Sequence, residues 1–213
     1  MAPKHHRLPR DRSIESELKF RLIGARDHAR MRSALRKLGA RREGVYDEEN
    51  FRFQGPGKTT RRVTLRLRVL DGGPKGVLTA KGPAQFFSGV KVREETEVQV
   101  SDAHATLDLF AQLGFQILVV YRKHRTVYVV NQVNVTLDVL EFGHFAEIEG
   151  PLEAIPSIAR DLGLDPAKAL KDSYSVLARK FEAAKKKAAK KTPAPAAAAT
   201  TNSLIPNSDS SRP

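Results

Sequence analysis

Ile14-Glu15-Ser16-Glu17-Leu18-Lys19-Phe20-Arg21-Leu22 alternates residue by residue between the two sides of an extended chain. In a strand, residues i, i+2 and i+4 share a face. Glu15, Glu17, Lys19 and Arg21 therefore fall on one side, and Ile14, Leu18, Phe20 and Leu22 on the other. The same period of two recurs at 46–53, 64–69, 76–81, 90–100, 133–139 and 145–149, and the 117–130 region reads as two strands meeting near Arg122–His124. Turn signals separate them at Gly55-Pro56-Gly57, Asp71-Gly72-Gly73-Pro74, Gly82-Pro83 and Asn131-Gln132. Helical periodicity is confined to 27–38, stopped by Gly39, to 103–113, capped by Ser101-Asp102 and stopped by Gly114, and to 152–162 and 173–184. The expected class is α+β: one domain of about eight mostly adjacent antiparallel strands with helices inserted.

A half-buried sheet is expected to show apolar-in, polar-out alternation on any one strand. What sets this chain apart is the set of polar faces. Arg66 and Arg68 oppose Leu65, Leu67 and Val69; Lys81 ends a strand backed by Leu78 and Ala80. Lys91, Arg93, Glu95 and Glu97 share a face, as do Lys123 with Arg125, Asn134 with Thr136 and Asp138, and Glu147 with Glu149. These faces are charged, and they are sorted: carboxylates crowd the first and last strands, and bases dominate between. Like charges on one face repel unless something of opposite sign lies between them. A divalent cation among the carboxylates and a polyanion among the bases would satisfy both. Eight strands closed into a barrel leave room for side chains or one small ligand. With the charged faces turned inward and the apolar ones outward under helices, the result is a polar tunnel.

Net charge taken alone points elsewhere. The chain carries 37 Lys and Arg against 24 Asp and Glu, a surplus of +13 that suggests an anionic partner. Seven of those charges lie in segments 1–13 and 182–213, which read as a flexible basic N-terminus and a disordered Lys/Ala/Pro-rich tail. The domain, 14–181, keeps +6. There is no cysteine, which excludes a disulfide scaffold, a zinc ribbon and a thiol nucleophile. Nor is there a glycine-rich phosphate loop, a secretory leader or an apolar run of bilayer length, so a cytoplasmic location is expected. None of the six histidines has a partner at metal-binding spacing.

The charged blocks resemble those of the CYTH domains, the triphosphate tunnel metalloenzymes. Glu15-Ser16-Glu17-Leu18-Lys19 fits their ExExK opening, and Leu65-Arg66-Leu67-Arg68, Leu78-Thr79-Ala80-Lys81-Gly82-Pro83, Arg93-Glu94-Glu95-Thr96-Glu97 and Lys123-His124-Arg125 follow in the family's order. Leu137-Asp138-Val139, Gly143-His144-Phe145-Ala146-Glu147-Ile148-Glu149 and Ser173-Tyr174 complete it. The wording is most similar to the bacterial class IV adenylyl cyclase branch.

That resemblance implies a closed eight-stranded antiparallel tunnel with helices packed outside, holding Mg²⁺ or Mn²⁺ and a triphosphate such as ATP, thiamine triphosphate or tripolyphosphate. By motif, Glu15, Glu17 and Glu149 would hold the metal, with Asp138 and Glu147 close by. Lys19, Arg66, Arg68, Lys81, Arg93, Lys123 and Arg125 would bind phosphate, and Glu15, Glu17, Lys19 and Glu149 form the catalytic set. Glu95 and Glu97 would bind a second metal or orient the bases. The implied reaction is cyclisation of ATP to cyclic AMP and pyrophosphate, or else hydrolysis of a triphosphate. A non-catalytic polyphosphate or RNA binder is the distant rival. Nucleic acid is expected only weakly, through the tails; no membrane partner is expected, and a homodimer is one option for the assembly.

Overall fold

The structure, a computed structural model, describes residues 13–57 and 63–191. Most of the basic N-terminal segment and the chain beyond Lys191 fall outside the described residues. The first strand, β1 (Ser13–Leu22), leads into helix α1 (Gly24–Lys37) and then β2 (Arg41–Gln54), β3 (Thr64–Leu70), β4 (Gly76–Lys81), β5 (Gln85–Phe87) and β6 (Val90–Val100). Helix α2 (Ala103–Gln112) precedes β7 (Gln116–Val130), β8 (Val133–Leu140) and β9 (Gly143–Glu149). Helix α3 (Ile155–Asp161), a 3-10 turn (Pro166–Lys168) and α4 (Tyr174–Lys191) complete the described chain.

All pairings are antiparallel, in the order β1-β9-β8-β7-β2-β3-β4-β6. The ring closes where β6 returns to β1, from Ser13 opposite Glu95 to Glu17 opposite Lys91. The expected eight-stranded tunnel is therefore what the chain forms. Gly82-Pro83 breaks the strand before β6, and the three-residue β5 resumes pairing along the same edge of β6. Asp71 and Gly72, and Asn131 and Gln132, adopt left-handed backbone at their turns. The second pair forms a two-residue hairpin that matches the twist of β7 and β8.

Three boundaries differ most from expectation, the first being the start of β2 at Arg41 in place of residue 46. The 117–130 region is one 15-residue strand, with no break at Arg122–His124. It contains neither glycine nor proline, and the pairs Arg122–Glu49 and His124–Asp47 carry the ladder with β2 through the expected gap. Helix α4 runs on to Lys191, past the expected end at Ala184. Its continuing Lys/Ala composition favours helix, and Lys185 bonds Glu141 at 2.7 Å.

The packed core lies mainly outside the barrel. Leu18, Phe20 and Leu22 of β1 join Leu137, Ala146 and Ile148 under Met31 and Leu35 of α1 and Ile155 and Ile158 of α3. Phe53, Leu67 and Val69 pack beneath Ala103 and Phe110 of α2, whose Asp102 cap accepts from the Ala105 amide at 2.9 Å. Inside, one end of the barrel is filled by Val119, Tyr121, Leu140 and Phe145 with Tyr174 and Ala178 of α4. Helix α4 thereby plugs that end, and the remaining interior is left to charged side chains.

Candidate active site

The inward faces of the strands enclose a cavity of about 300 Å³. Eight bases line it: Lys19, Arg52, Arg66, Arg68, Lys81, Arg93, Lys123 and Arg125. Six carboxylates face the same space: Glu15, Glu17, Glu95, Glu97, Glu147 and Glu149. Of the expected site residues, every one but Asp138 contributes to this lining. Arg21, the fourth charged residue of the opening strand, is beyond the tunnel; it is exposed and donates to the Phe142 carbonyl at 2.9 Å.

Burying so many charges requires that they be paired, and the pairs form three groups. Glu15 accepts from Lys81 at 2.6 Å and from Arg93 Nε at 2.9 Å, and Lys81 also meets Glu95 at 2.9 Å. Desolvation would raise the Glu15 pKa, but Lys81 and Arg93 outweigh it and hold the group at about 2. Glu17 accepts from Lys91 at 2.8 Å, and Lys19 lies 3.1 Å from Glu147 with its ammonium over the Tyr174 ring. Arg125 forks onto Asp138 at 2.7 and 2.6 Å and also reaches Glu147.

The resemblance implies that Asp138 stands close to the metal; in the structure it lies behind Arg125, fully buried, and accepts from the Tyr174 hydroxyl at 2.7 Å. With both oxygens taken, it anchors Arg125 and offers the cavity nothing. Glu95 and Glu97 act here as partners of bases: Glu97 accepts from Thr79 at 2.8 Å and stands 3.8 Å from Arg66 and 3.6 Å from Arg68.

Three groups are left unsettled by the pairing. Arg66 and Arg68, neighbours on one face of β3, each bury an Nε–H with no acceptor. Glu149 has no ion pair or hydrogen bond among the described residues. Burial, then repulsion from Glu15 and Glu147, push its pKa up to about 7. Lys123, by contrast, is paired: it is buried against Glu48 at 3.1 Å and Asp138 at 3.8 Å. Desolvation and the adjacent Arg125 lower its pKa to about 8.

Several members of the site went unread in the sequence. Glu48 and Arg52 lie on the inward face of β2: Glu48 pairs with Lys123, and Arg52 donates to the Leu65 carbonyl at 3.2 Å. The i, i+2 rule applied to 48–52 finds them. Lys91 belongs to a charged face legible in the sequence, but its partner, Glu17, lies on another strand. Tyr121 lines the tunnel from its plugged end, and the apolar run Ile117–Val120 before it makes it look like a core residue in sequence; Tyr174, legible only as part of the Ser173-Tyr174 motif, lines the same end. His124 points away from the tunnel, to Asp47 at 2.8 Å.

The donor chemistry suits a hard divalent ion. Glu15, Glu17, Glu147 and Glu149 offer only carboxylate oxygens, and the charge crowded onto Glu149 is what such an ion would relieve. In this geometry the other three are held by bases, and no three acidic or histidine groups among the described residues already converge at ligand distance. No helix among the described residues is long and apolar enough to cross a membrane.

Comparison with known proteins agrees with the tunnel. A candidate adenylate cyclase of Methanocaldococcus jannaschii is 29% identical over 143 residues, covering 67% of this chain and 79% of its own. A solved structure from Pyrococcus horikoshii superposes with a TM-score of 0.64 at 28% identity, over 76% of this chain and 98% of that one. A candidate adenylyl cyclase of Hippeastrum with a dominant triphosphatase activity shares the fold at a TM-score of 0.60 and 21% identity, over 78% and 96% of the two chains. The family model for the CYTH domain matches residues 13–172, the span that builds the ring of strands and its charged lining, and the chain belongs to that family.

Proposed function

We propose that the tunnel binds a linear triphosphate and, together with Mg²⁺ or Mn²⁺, hydrolyses it. The observation that carries this choice of reaction is the character of the lining. Ile14 is its one aliphatic side chain, and the two tyrosines belong to the plugged end; every other residue is charged or a small hydroxyl. A phosphate chain can use all of it. An adenine ring needs an apolar slot, and none lines the cavity among the described residues.

Arg66 and Arg68 would turn their unpaired Nε–H groups to phosphate oxygens, which match the guanidinium fork. Lys19, Lys81, Lys123 and Arg93 add positive charge along the chain, and Asp138 with Tyr174 fixes Arg125 in place. A divalent ion held by Glu15, Glu17, Glu147 and Glu149 would neutralise charge on the bridging and terminal oxygens. Anion and cation together would replace the internal pairs of Glu15 with Lys81 and Arg93, so each ligand favours the other. Water attacks the γ-phosphorus, the bond to the bridging oxygen breaks, and orthophosphate and the shortened chain leave.

The second reading is ATP cyclisation, in which the 3′-hydroxyl attacks the α-phosphorus and pyrophosphate departs. The class IV wording of Arg93–Glu97 and Gly143–Glu149 and the Methanocaldococcus jannaschii relative favour it. Product identification separates the two. With tripolyphosphate or ATP and Mg²⁺ or Mn²⁺, orthophosphate is expected; cyclic AMP with pyrophosphate would establish the second reading. No turnover of either substrate would overturn both. Glu17→Gln should abolish metal-dependent turnover while leaving the fold intact, and unchanged activity in that variant would overturn the metal assignment.

A further inference from the structure

The domain's surplus charge is not in the tunnel. Residues 24–43 hold Arg26, Arg30, Arg32, Arg36, Lys37, Arg41 and Arg42 against Asp27 and Glu43, a net of +5. The rest of the 14–181 domain then carries 20 bases against 19 acids. Nearly all of the domain's +6 therefore sits on α1 and the start of β2.

The fold turns this charge outward. His28, Met31 and Leu35 bury the inner face of α1 against the barrel. At 3.6 residues per turn, Arg26, Arg30, Ser33 and Lys37 form one row down the opposite face, about 16 Å long, with Arg32 and Arg36 in a second row beside it. Arg26, Arg32, Arg36, Lys37 and Arg42 have no carboxylate at ion-pair distance among the described residues; Arg30 meets Asp27 at 3.2 Å, and Arg41 pairs with Glu43. A groove of about 370 Å³ runs along the row, between Arg30, Ser33 and Lys37 and the end of α3, where Asp161 is its one acid.

We propose that this face of α1 docks the phosphate backbone of a nucleic acid. A line of bases, five of the seven without a carboxylate partner among the described residues, complements a regular line of phosphates, each of which gains by releasing condensed counterions. Six of the seven bases are arginine, whose fork suits phosphate oxygens. An anionic membrane fits less well. Helices that lie on membranes present apolar side chains to the lipid, and the apolar face of α1 is already spent on the core. The proposal is independent of the tunnel, since none of these residues lines it. It departs from the expectation that nucleic acid is met only weakly, through the tails.

The test is fluorescence anisotropy of a labelled single-stranded RNA and of a DNA duplex with the full chain, titrated across salt. With five phosphates neutralised, log affinity should fall against log salt with a slope of about −3.5 for the single strand and about −4.5 for the duplex. The quadruple variant Arg26→Gln, Arg36→Gln, Lys37→Gln, Arg42→Gln should flatten that slope by about 3, with an unchanged circular dichroism spectrum. A second variant, Lys185→Gln, Lys186→Gln, Lys187→Gln, should keep the slope within about one unit of the α1-dependent value. Loss of binding in the second variant with retention in the first would overturn the proposal. So would failure to bind either nucleic acid, or binding only to phosphatidylserine vesicles or to polyglutamate.

Discussion

Lys123 and Glu149 are the two residues whose titration the tunnel bends furthest into the neutral range, and they move in opposite senses. The folded protein holds Lys123 at about 8 against the ordinary 10.5, because burial and Arg125 disfavour its charge. Between those values the unfolded chain binds a proton that the folded chain does not, so stability rises with pH across the window, by at most about 1.4 kcal/mol per pH unit. Tyr121 and Tyr174, both raised by burial, reverse the trend only above about pH 10. Urea titrations from pH 8 to 10 should therefore show wild type gaining on Lys123→Met; parallel curves would mean that Lys123 is charged throughout. Glu149 has the converse sign. Its folded pKa of about 7 lies above the ordinary 4.5, so its penalty is absent at acid pH and complete above 7. Glu149→Gln should raise the metal-free melting temperature at pH 8 and cost metal-dependent turnover roughly 10²-fold. A variant that melts lower and keeps its activity would place the repulsion elsewhere.

The strands were easier to read than their ends, for a physical reason. Alternation is set by burial on one face and survives in sequence, so β1, β3, β4 and β8 were legible from their charged and apolar sides. Length depends on whether a partner continues the ladder, and β7 shows this. Arg122, Lys123 and His124 looked like an interruption, yet Glu49, Glu48 and Asp47 stand opposite them on β2. A charged triplet reads as a loop until its complement is known. The site was legible to the same degree: the ExExK and LRxR faces are local patterns, whereas Glu48, Lys91 and Arg52 gain meaning only from partners 13 to 75 residues away in β1, β3 and β7. The hairpin between β7 and β8 offers a test at this scale. Gln132 takes φ 64°, a left-handed conformation that costs a non-glycine residue strain. Gln132→Gly creates the Asn-Gly pair that such turns prefer and should stabilise the protein by about 0.5–1 kcal/mol. Destabilisation instead would show that chain entropy outweighs the relief of strain.

For the molecule as a whole, the question is why a barrel should fill its inside with ions and put its core outside. Helices α1, α2 and α3 supply the apolar cover that lets the outward faces of the strands serve as core, and α4 seals one end. Stability is thus provided around the tunnel, and the interior is free to be balanced for a ligand. Among the described residues that balance is met internally, carboxylate to base, except at Glu149 and at the Nε–H groups of Arg66 and Arg68. An anion entering the tunnel gains the two free Nε–H groups of Arg66 and Arg68 but must draw Lys81 and Arg93 away from Glu15. That exchange leaves carboxylates crowded, and a cation then repays it. Tripolyphosphate and Mg²⁺ should therefore bind with positive coupling, each tightening the other's affinity. A saturating ligand at a hundred times its Kd adds about 2.7 kcal/mol, or roughly 5–10 °C in melting temperature for a domain of this size. The shift with both ligands should exceed the sum of the separate shifts in wild type. In Arg66→Gln, Arg68→Gln the tripolyphosphate shift should largely vanish, because the groups with the most to gain are gone. Additive shifts in wild type would mean that the internal ion pairs stay closed when the anion binds, and that the tunnel's two halves act independently.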